Sequence, residues 1–249
     1  MNLCIDQGNS RTKVALFRED GSIAKNLMYK SFTSADVERL FSLYPIRDSI
    51  VSSVVNIDPA VVNVLHRLST RFILFDHKTP LPLRNCYQTP DTLGQDRIAS
   101  AVGASYICPK QNLLIVDAGS AITYDFVSAE DGYLGGNIAP GVKMRLTVLR
   151  QMTKKLPKVE VEENTLIPLF GKTTREAIAV GVVRGIIFEV KGYMRTLAEQ
   201  GTPFVTFVTG GNAPYILGSL QEEAQFEPHL VLIGLNCILE YNKVEHNEI

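Results

Sequence analysis

The stretch IDQGNSRTKVALF, residues 5–17, decides the reading of this chain. An apolar run ends on the carboxylate of Asp6, turns through Gly8, Asn9 and Ser10, and resumes after Lys13. Two apolar runs joined by a short Gly/Asn turn are the pattern of a β-hairpin. The turn offers backbone N–H groups, glycine lets the backbone approach a ligand closely, and Asn9 and Ser10 add short polar groups. Phosphate oxygens suit such a turn. A carboxylate at the strand end suits a hydrated Mg²⁺, which takes oxygen ligands and keeps several waters. Lys13 adds a positive charge.

The pattern returns. Shifted by 111 positions, Asp6 falls on Asp117, Gly8 on Gly119, and Glu19-Asp20-Gly21 on Glu130-Asp131-Gly132, with no gap. Leu3-Cys4-Ile5 meets residues of the same apolar kind around Ile115-Val116. One D-x-G turn alone reads equally as a structural turn with a solvated carboxylate. Two of them in matching surroundings point to a duplicated domain, one half over residues 1–111 and the other over 112–249. The expected architecture is α/β: two duplicated halves with a triphosphate gripped in the cleft between them, Ser120 contributing a hydroxyl from the second turn.

The rest of the chain fits two α/β halves. Strands are expected at 2–6, 13–17, 23–30, 49–55 and 71–76, and helices at 34–44, 59–70 and 96–107, with Ser34 as an N-cap. A proline-rich loop spans about 77–93. In the second half, strands at 112–117, 121–127 and 204–209 alternate with helices at 142–152 and 173–200. A last helix covers 227–242, with Pro228 near its start.

Composition narrows the class. The 249 residues are 45% hydrophobic and 20% charged with a net charge of −1, which is ordinary globular usage. No Lys/Arg block is present, so nucleic acid and anionic membranes are not expected partners. Cys4, Cys86, Cys108 and Cys237 lie far apart without a C-x-x-C, as for free thiols in a reducing cytoplasm. No signal peptide is read before Asp6, and LVLIGLNCIL is too short to span a bilayer. His66, His77, His229 and His246 have no metal-ligand spacing. There is no G-x-x-x-x-G-K-[ST] and no G-x-G-x-x-G. A paired-aspartate acid protease would show D-[ST]-G twice. Here the triplets are Asp6-Gln7-Gly8 and Asp117-Ala118-Gly119, and Lys13 would sit badly beside a carboxylate dyad.

Six blocks in order then resemble the type III pantothenate kinases. DQGNSRTK resembles their D-x-G-N-[TS]-x-x-K start, and GQDR (94–97) their G-x-D-R. VDAGSAITYD resembles V-D-x-G-T-A-x-T-x-D, and GGNIAPG (135–141) resembles G-G-x-I-x-P-G. GKTTREAIAVG and TGGNA complete the set. The resemblance implies the acetate and sugar kinase, Hsp70 and actin superfamily, with two duplicated actin-like, ribonuclease H-like α/β halves and a nucleotide cleft between them, and the transfer of a phosphoryl group from ATP to pantothenate at the start of coenzyme A synthesis. It implies Mg²⁺, a monovalent cation (K⁺ or NH₄⁺), and a cytoplasmic homodimer. Carried onto this sequence, Asp96 is the general base. Tyr87, Gly94, Gln95, Asp96 and Arg97 bind pantothenate, joined by Thr174 from the neighbouring subunit. ATP falls to Asp6, Gln7, Gly8, Asn9, Ser10, Arg11, Thr12 and Lys13, with Ser120. Asp117 holds the monovalent cation, and Asp6 holds Mg²⁺ through water. Ser10 and Ser120 replace threonines and keep the hydroxyl.

The residues themselves add detail. Asp96 opens an amphipathic helix, where the dipole favours its ionised form by about 0.3–1 kcal/mol, as a base requires. Neighbouring helical residues point about 100° apart, so Asp96 and Arg97 share a ligand only if it wraps the helix end; Arg97 alone reads as a surface cation. Ala177, Gly181 and Gly185 form a small-residue stripe fit to receive another helix, within the same half or across the dimer. Two other readings stand beside the pantothenate kinase: another small-molecule kinase of the superfamily, and a nucleotide-binding regulator. Members of the family have been described as regulatory factors.

Overall fold

A computed structural model describes residues 1–163, 168–220 and 223–244; His246 lies outside them. The chain divides into two compact units: Met1–Pro109 together with the segment from His229, and Lys110–Pro228.

In the first unit the opening hairpin, β1 (Asn2–Gln7) and β2 (Thr12–Phe17), continues into β3 (Ile23–Tyr29). Helix α1 (Ser34–Leu43) leads to β4 (Asp48–Ser53), and α2 (Pro59–Leu68) to β5 (Arg71–Leu74). The sheet order is β3-β2-β1-β4-β5, with β1 antiparallel to β2 and parallel to β4. Alternate residues explain the layering. Leu3, Ile5, Val14 and Leu16 form one core with Val37 and Leu40 of α1 and Val61 and Leu65 of α2. The other face of β1, carrying Asn2 and Cys4, meets α7 (Leu230–Val244), where the Asn2 side-chain amide donates to Asn236 Oδ1 at 2.7 Å. Helix α3 (Gln95–Ile107) packs along α7.

Helix α1 starts differently from the sequence expectation. Its N-cap is Thr33, not Ser34: Thr33 Oγ1 accepts from Asp36 N–H, and Asp36 Oδ2 accepts from Thr33 N–H at 2.9 Å. The reciprocal box satisfies two end groups, which a serine one residue later could not do. The C-terminal helix also departs from the division at 111. Gly103 and Gly234 bring the α3 and α7 backbones into direct contact, and Asn242 donates to Pro80 O, so α7 belongs to the first unit.

In the second unit, β6 (Asn112–Ala118), β7 (Ala121–Ser128) and β8 (Gly132–Pro140) precede α4 (Val142–Met152). The long helix α5 (Thr174–Glu199) follows, then β9 (Phe204–Thr209), α6 (Pro214–Leu220) and β10 (Gln225–Phe226). The order β10-β9-β6-β7-β8 repeats the first sheet element for element, with β6 antiparallel to β7 and parallel to β9. Gly21 and Gly132, matched by the 111-residue shift, both take positive φ, at 80° and 89°. Leu114, Val116, Ile122 and Tyr124 bury against Val183, Ile186 and Val190 of α5. Neither α6, β10 nor the 3₁₀ turn Pro90–Thr92 is anticipated from the sequence.

None of the four cysteines is joined in a disulfide. Burial pushes the Cys4 thiol well above its ordinary range and that of Cys237 up to about 11, so both are protonated packing groups. Among the described residues no helix is long and apolar enough to cross a membrane.

Candidate active site

The first turn hangs from the C-terminal end of β1. Asp6 sits opposite Lys13 on β2 and beside Ser52 on β4. Registered neighbours share a sheet face, so Lys13, Asp6 and Ser52 form one polar row. Asp6 is buried and Lys13 half-buried. Ser52 is buried and its hydroxyl makes no hydrogen bond. Gln7 Oε1 accepts from the Ser53 hydroxyl at 3.1 Å, and Thr12 is buried. The four residues Gly8 to Arg11 make the turn itself, and Asn9, Ser10 and Arg11 are exposed. The Gly8 N–H donates to Arg11 O at 3.1 Å. That donor is therefore used inside the turn, whereas the sequence reading left it open for a ligand.

Helix α3 belongs to the same unit. Near its C-terminal end, Val102, Ser105 and Tyr106 line a cavity with Arg18 to Gly21 of the β2–β3 turn. That turn lies at the opposite end of the hairpin from residues 8–11. The N-terminus of α3 lies at the other end of the helix from that cavity. Gly94 is the N-cap, and Gln95 and Asp96 are half-buried in the first turn. Asp96 Oδ1 accepts from Arg97 N–H at 2.9 Å and fills the space a side chain at Gly94 would need. Arg97 corrects the expectation of a surface cation. It is only 6% exposed, and its guanidinium lies 5.8 Å from the centre of the Tyr87 ring, within cation–π range. The structure brings Tyr87 and Arg97 together beside Asp96.

The second turn is built on the same plan but held more firmly. Asp117 sits opposite Thr123 and beside Thr209. The Thr123 hydroxyl is buried without a hydrogen bond. Only Gly119, Ser120 and Ala121 separate the paired residues Ala118 and Ile122, so this turn is one residue tighter than the first. Two loops brace it. Asn212 donates from its backbone to Ala118 O at 2.7 Å and from its side chain to Gly119 O at 2.5 Å. Gly141 N–H donates to Ser120 O at 3.1 Å. Both braces require glycine: Gly210, at φ 93°, leaves no room for a Cβ against Asp117 Oδ1 and Ala118, and Gly141 none against Ser120 O. Ser120 is exposed and Asp117 half-buried. The sequence marks these braces only as G-G and P-G dipeptides, which announce turns but not what they press against.

Thr174 is the first residue of α5 and is exposed. It lines a cavity of about 580 Å³ with Arg145, Ala177 and Gly181. Nothing described lies within 4 Å of where a Gly181 Cβ would be, whereas a Gly185 Cβ would meet Arg145 Nη1 at 3.6 Å and Gly171 closes on the Ala177 backbone, so the stripe is open only at its middle. Behind it, Arg145 makes a two-pronged pair with Glu189, at 2.8 and 2.7 Å, and the Tyr124 hydroxyl donates to Glu189 Oε2 at 2.8 Å. Burial pushes the Glu189 carboxyl up, but the hydrogen bonds from Arg145 and Tyr124 outweigh it and hold the carboxyl below its usual range. Burial and the bond to Glu189 push the Tyr124 phenol up.

Among the described residues no three His, Cys, Asp or Glu side chains cluster as a metal cage. His66 packs edge-on against Phe72. A single carboxylate at each strand end fits an ion that keeps water or takes oxygens from a bound phosphate chain.

The type III pantothenate kinase family profile matches residues 2–196. A type III pantothenate kinase from Phocaeicola vulgatus is 39% identical over 242 residues, 97% of this chain and 99% of that one. Among solved structures, a Campylobacter jejuni protein described as a Baf family transcriptional activator superposes with a TM-score of 0.64 at 22% identity, over 97% and 99% of the two chains. A ROK family glucokinase from Streptomyces griseus, solved with glucose and AMPPNP, superposes with a TM-score of 0.53 at 12% identity, over 96% and 99%. These likenesses establish the sugar kinase and actin-like fold. Full-length kinship at this level of identity, together with the profile match, establishes more: the chain belongs to the type III pantothenate kinase family.

Proposed function

We propose that this chain transfers the γ-phosphoryl group of ATP to the 4′-hydroxyl of pantothenate, giving ADP and 4′-phosphopantothenate. The observation that carries the substrate side is the Tyr87–Arg97–Asp96 group at the start of α3. Arg97 is buried against an aromatic face, and its planar guanidinium has the chemistry that recognises a carboxylate such as that of pantothenate. Asp96, half-exposed beside it, takes the proton of the attacking hydroxyl.

Phosphoryl transfer needs positioning and charge neutralisation more than covalent chemistry. In this reading one ATP is held by both turns: Asp6 to Lys13 from the first, and Ser120 with the neighbouring backbone from the second. Lys13 offsets phosphate charge. Mg²⁺ near Asp6 and a monovalent cation (K⁺ or NH₄⁺) near Asp117, when bound, neutralise charge that builds on the phosphate oxygens. Gln95 and Gly94 shape the mouth of the pantothenate site. The active form is a homodimer in which Thr174 reaches the partner's substrate. Exposed Ile138, Met144, Val148, Met152 and Phe170, together with the open Gly181 position, support such an interface. Cysteines not joined in disulfides are compatible with a cytoplasmic setting.

A coupled ADP-release assay with pantothenate, run with and without K⁺, tests the reading. Turnover that needs both is the expected result. Turnover with sugars instead supports a sugar kinase. ATP binding without turnover supports a regulator, the role named for the Campylobacter jejuni relative of this fold.

A further inference from the structure

We propose that Arg145 is a positioning residue for the second phosphate turn, acting through Pro140–Gly141 with Glu189 and Tyr124 as its anchor. The inference rests on the reading that ATP phosphates meet Gly119 and Ser120.

The chain of contacts is continuous and lies within one unit. Arg145 stands one turn into α4, and its backbone N–H donates to Gly141 O at 3.0 Å. Its Nε donates to Pro140 O at 2.7 Å. The same guanidinium spends both terminal nitrogens on Glu189 of α5. Residues 140 and 141 are thus gripped from the helix side. On the opposite side, Gly141 N–H donates to Ser120 O, and its Cα lies too close to Ser120 O and Gly119 O to admit any side chain. A displacement of Gly141 therefore moves the carbonyls of the turn whose N–H groups would face the phosphates.

Arg145 is suited to this because its planar fork fixes direction as well as distance, which a lysine ammonium does not. Glu189 is in turn held by the Tyr124 hydroxyl, and Tyr124 stacks on Tyr193 with ring centres 4.6 Å apart. Asn137 of β8 donates to the Tyr193 hydroxyl at 3.1 Å, which ties the strand that leads into Pro140 to the same anchor. The first turn is held otherwise: Gly8 N–H donates to Arg11 O within the turn, and Val54 N–H, just beyond β4, donates to Gln7 O at 3.1 Å.

Titration calorimetry of the full-length protein, with ATP and Mg²⁺ and separately with pantothenate, tests the assignment alongside thermal unfolding. Arg145→Met is expected to weaken ATP binding by about 10–100-fold, since misplacing a binding group by about 1 Å can cost 100-fold. Pantothenate binding stays within about threefold. An unchanged ATP affinity overturns the inference, and so does an equal loss for both ligands, the signature of a generally loosened fold. Should Arg145→Met not fold, Arg145→Lys decides: it keeps the charge and loses the fork, with an expected loss of about 3–10-fold for ATP alone. A lysine variant that binds ATP like the wild type overturns the assignment. A wild-type protein that binds ATP but ignores pantothenate refutes the proposed substrate and leaves this measurement intact. A wild type without ATP affinity refutes the reading beneath both.

Discussion

The two D-x-G turns share strand order, register and chemistry, and differ in how they are held. The turn at 8–11 has four residues, three of them exposed; Gly8 and Arg11 close it from within, and Val54 N–H holds its base at Gln7 O. The turn at 119–121 is one residue shorter and braced from two sides by Asn212 and Gly141, with Gly210 packed against its aspartate. One carries a cation, Lys13, opposite its carboxylate; the other carries a neutral hydroxyl, Thr123. Duplication supplied one plan. The second copy packs its turn against glycines of two further loops, and the first sets a cation opposite its carboxylate.

The sharpest way to break this comparison is to add one methyl to each turn. Gly210→Ala forces a side chain into positive φ and against Asp117, and is expected to cost about 2–4 kcal/mol of stability. Gly8→Ala meets only Arg11 O at an ordinary 3.4 Å and should cost less than about 1 kcal/mol. Thermal or urea unfolding of the two variants reads the difference, and equal losses would erase the asymmetry.

A second contrast concerns charge. Lys13→Met is expected to raise KM for ATP by about 10–100-fold through loss of a charge-assisted contact. Thr123→Val, at the matching place, removes a buried hydroxyl that has no hydrogen bond. Its stability should stay within about 1 kcal/mol of wild type, with no fall in melting temperature. A larger loss would mean that the hydroxyl is engaged.

The smallest expected effect lies in the anchor of the braced turn. The folded Glu189 carboxyl titrates below its unfolded value. Its contribution is therefore complete above the unfolded carboxylate pKa and is lost as pH falls through the folded one. Glu189→Gln should flatten the acid limb of stability against pH and lower neutral stability by the same small amount, small because the pair is partly exposed. An acid limb identical to wild type would assign that dependence to other carboxylates.

Much of this was legible in residue order. The hairpins, the repeat and the long helix follow from period-2 and period-3.6 patterning, and α4 falls on 142–152 as expected. What escaped depends on contacts between distant segments. Nothing local distinguishes an Arg97 packed over Tyr87 from an exposed one, because burial is decided by the loop at 85–93. Ser34 lost the capping role because Asp36 completes a box only with Thr33. The final helix reads as apolar from sequence, and its contacts with α3, Asn2 and Pro80, all distant in the chain, assign it to the first unit. The Arg145–Glu189 pair spans 44 residues and has no sequence signal.

The central claim is that Asp96 takes the proton of the attacking hydroxyl while ATP is held elsewhere. Steady-state ADP release by Asp96→Asn with pantothenate, paired with calorimetry of ATP binding, tests it most directly. The expected result is a kcat lower by about 10²–10⁴-fold with ATP affinity within about threefold of wild type. Turnover close to wild type would remove Asp96 from the reaction.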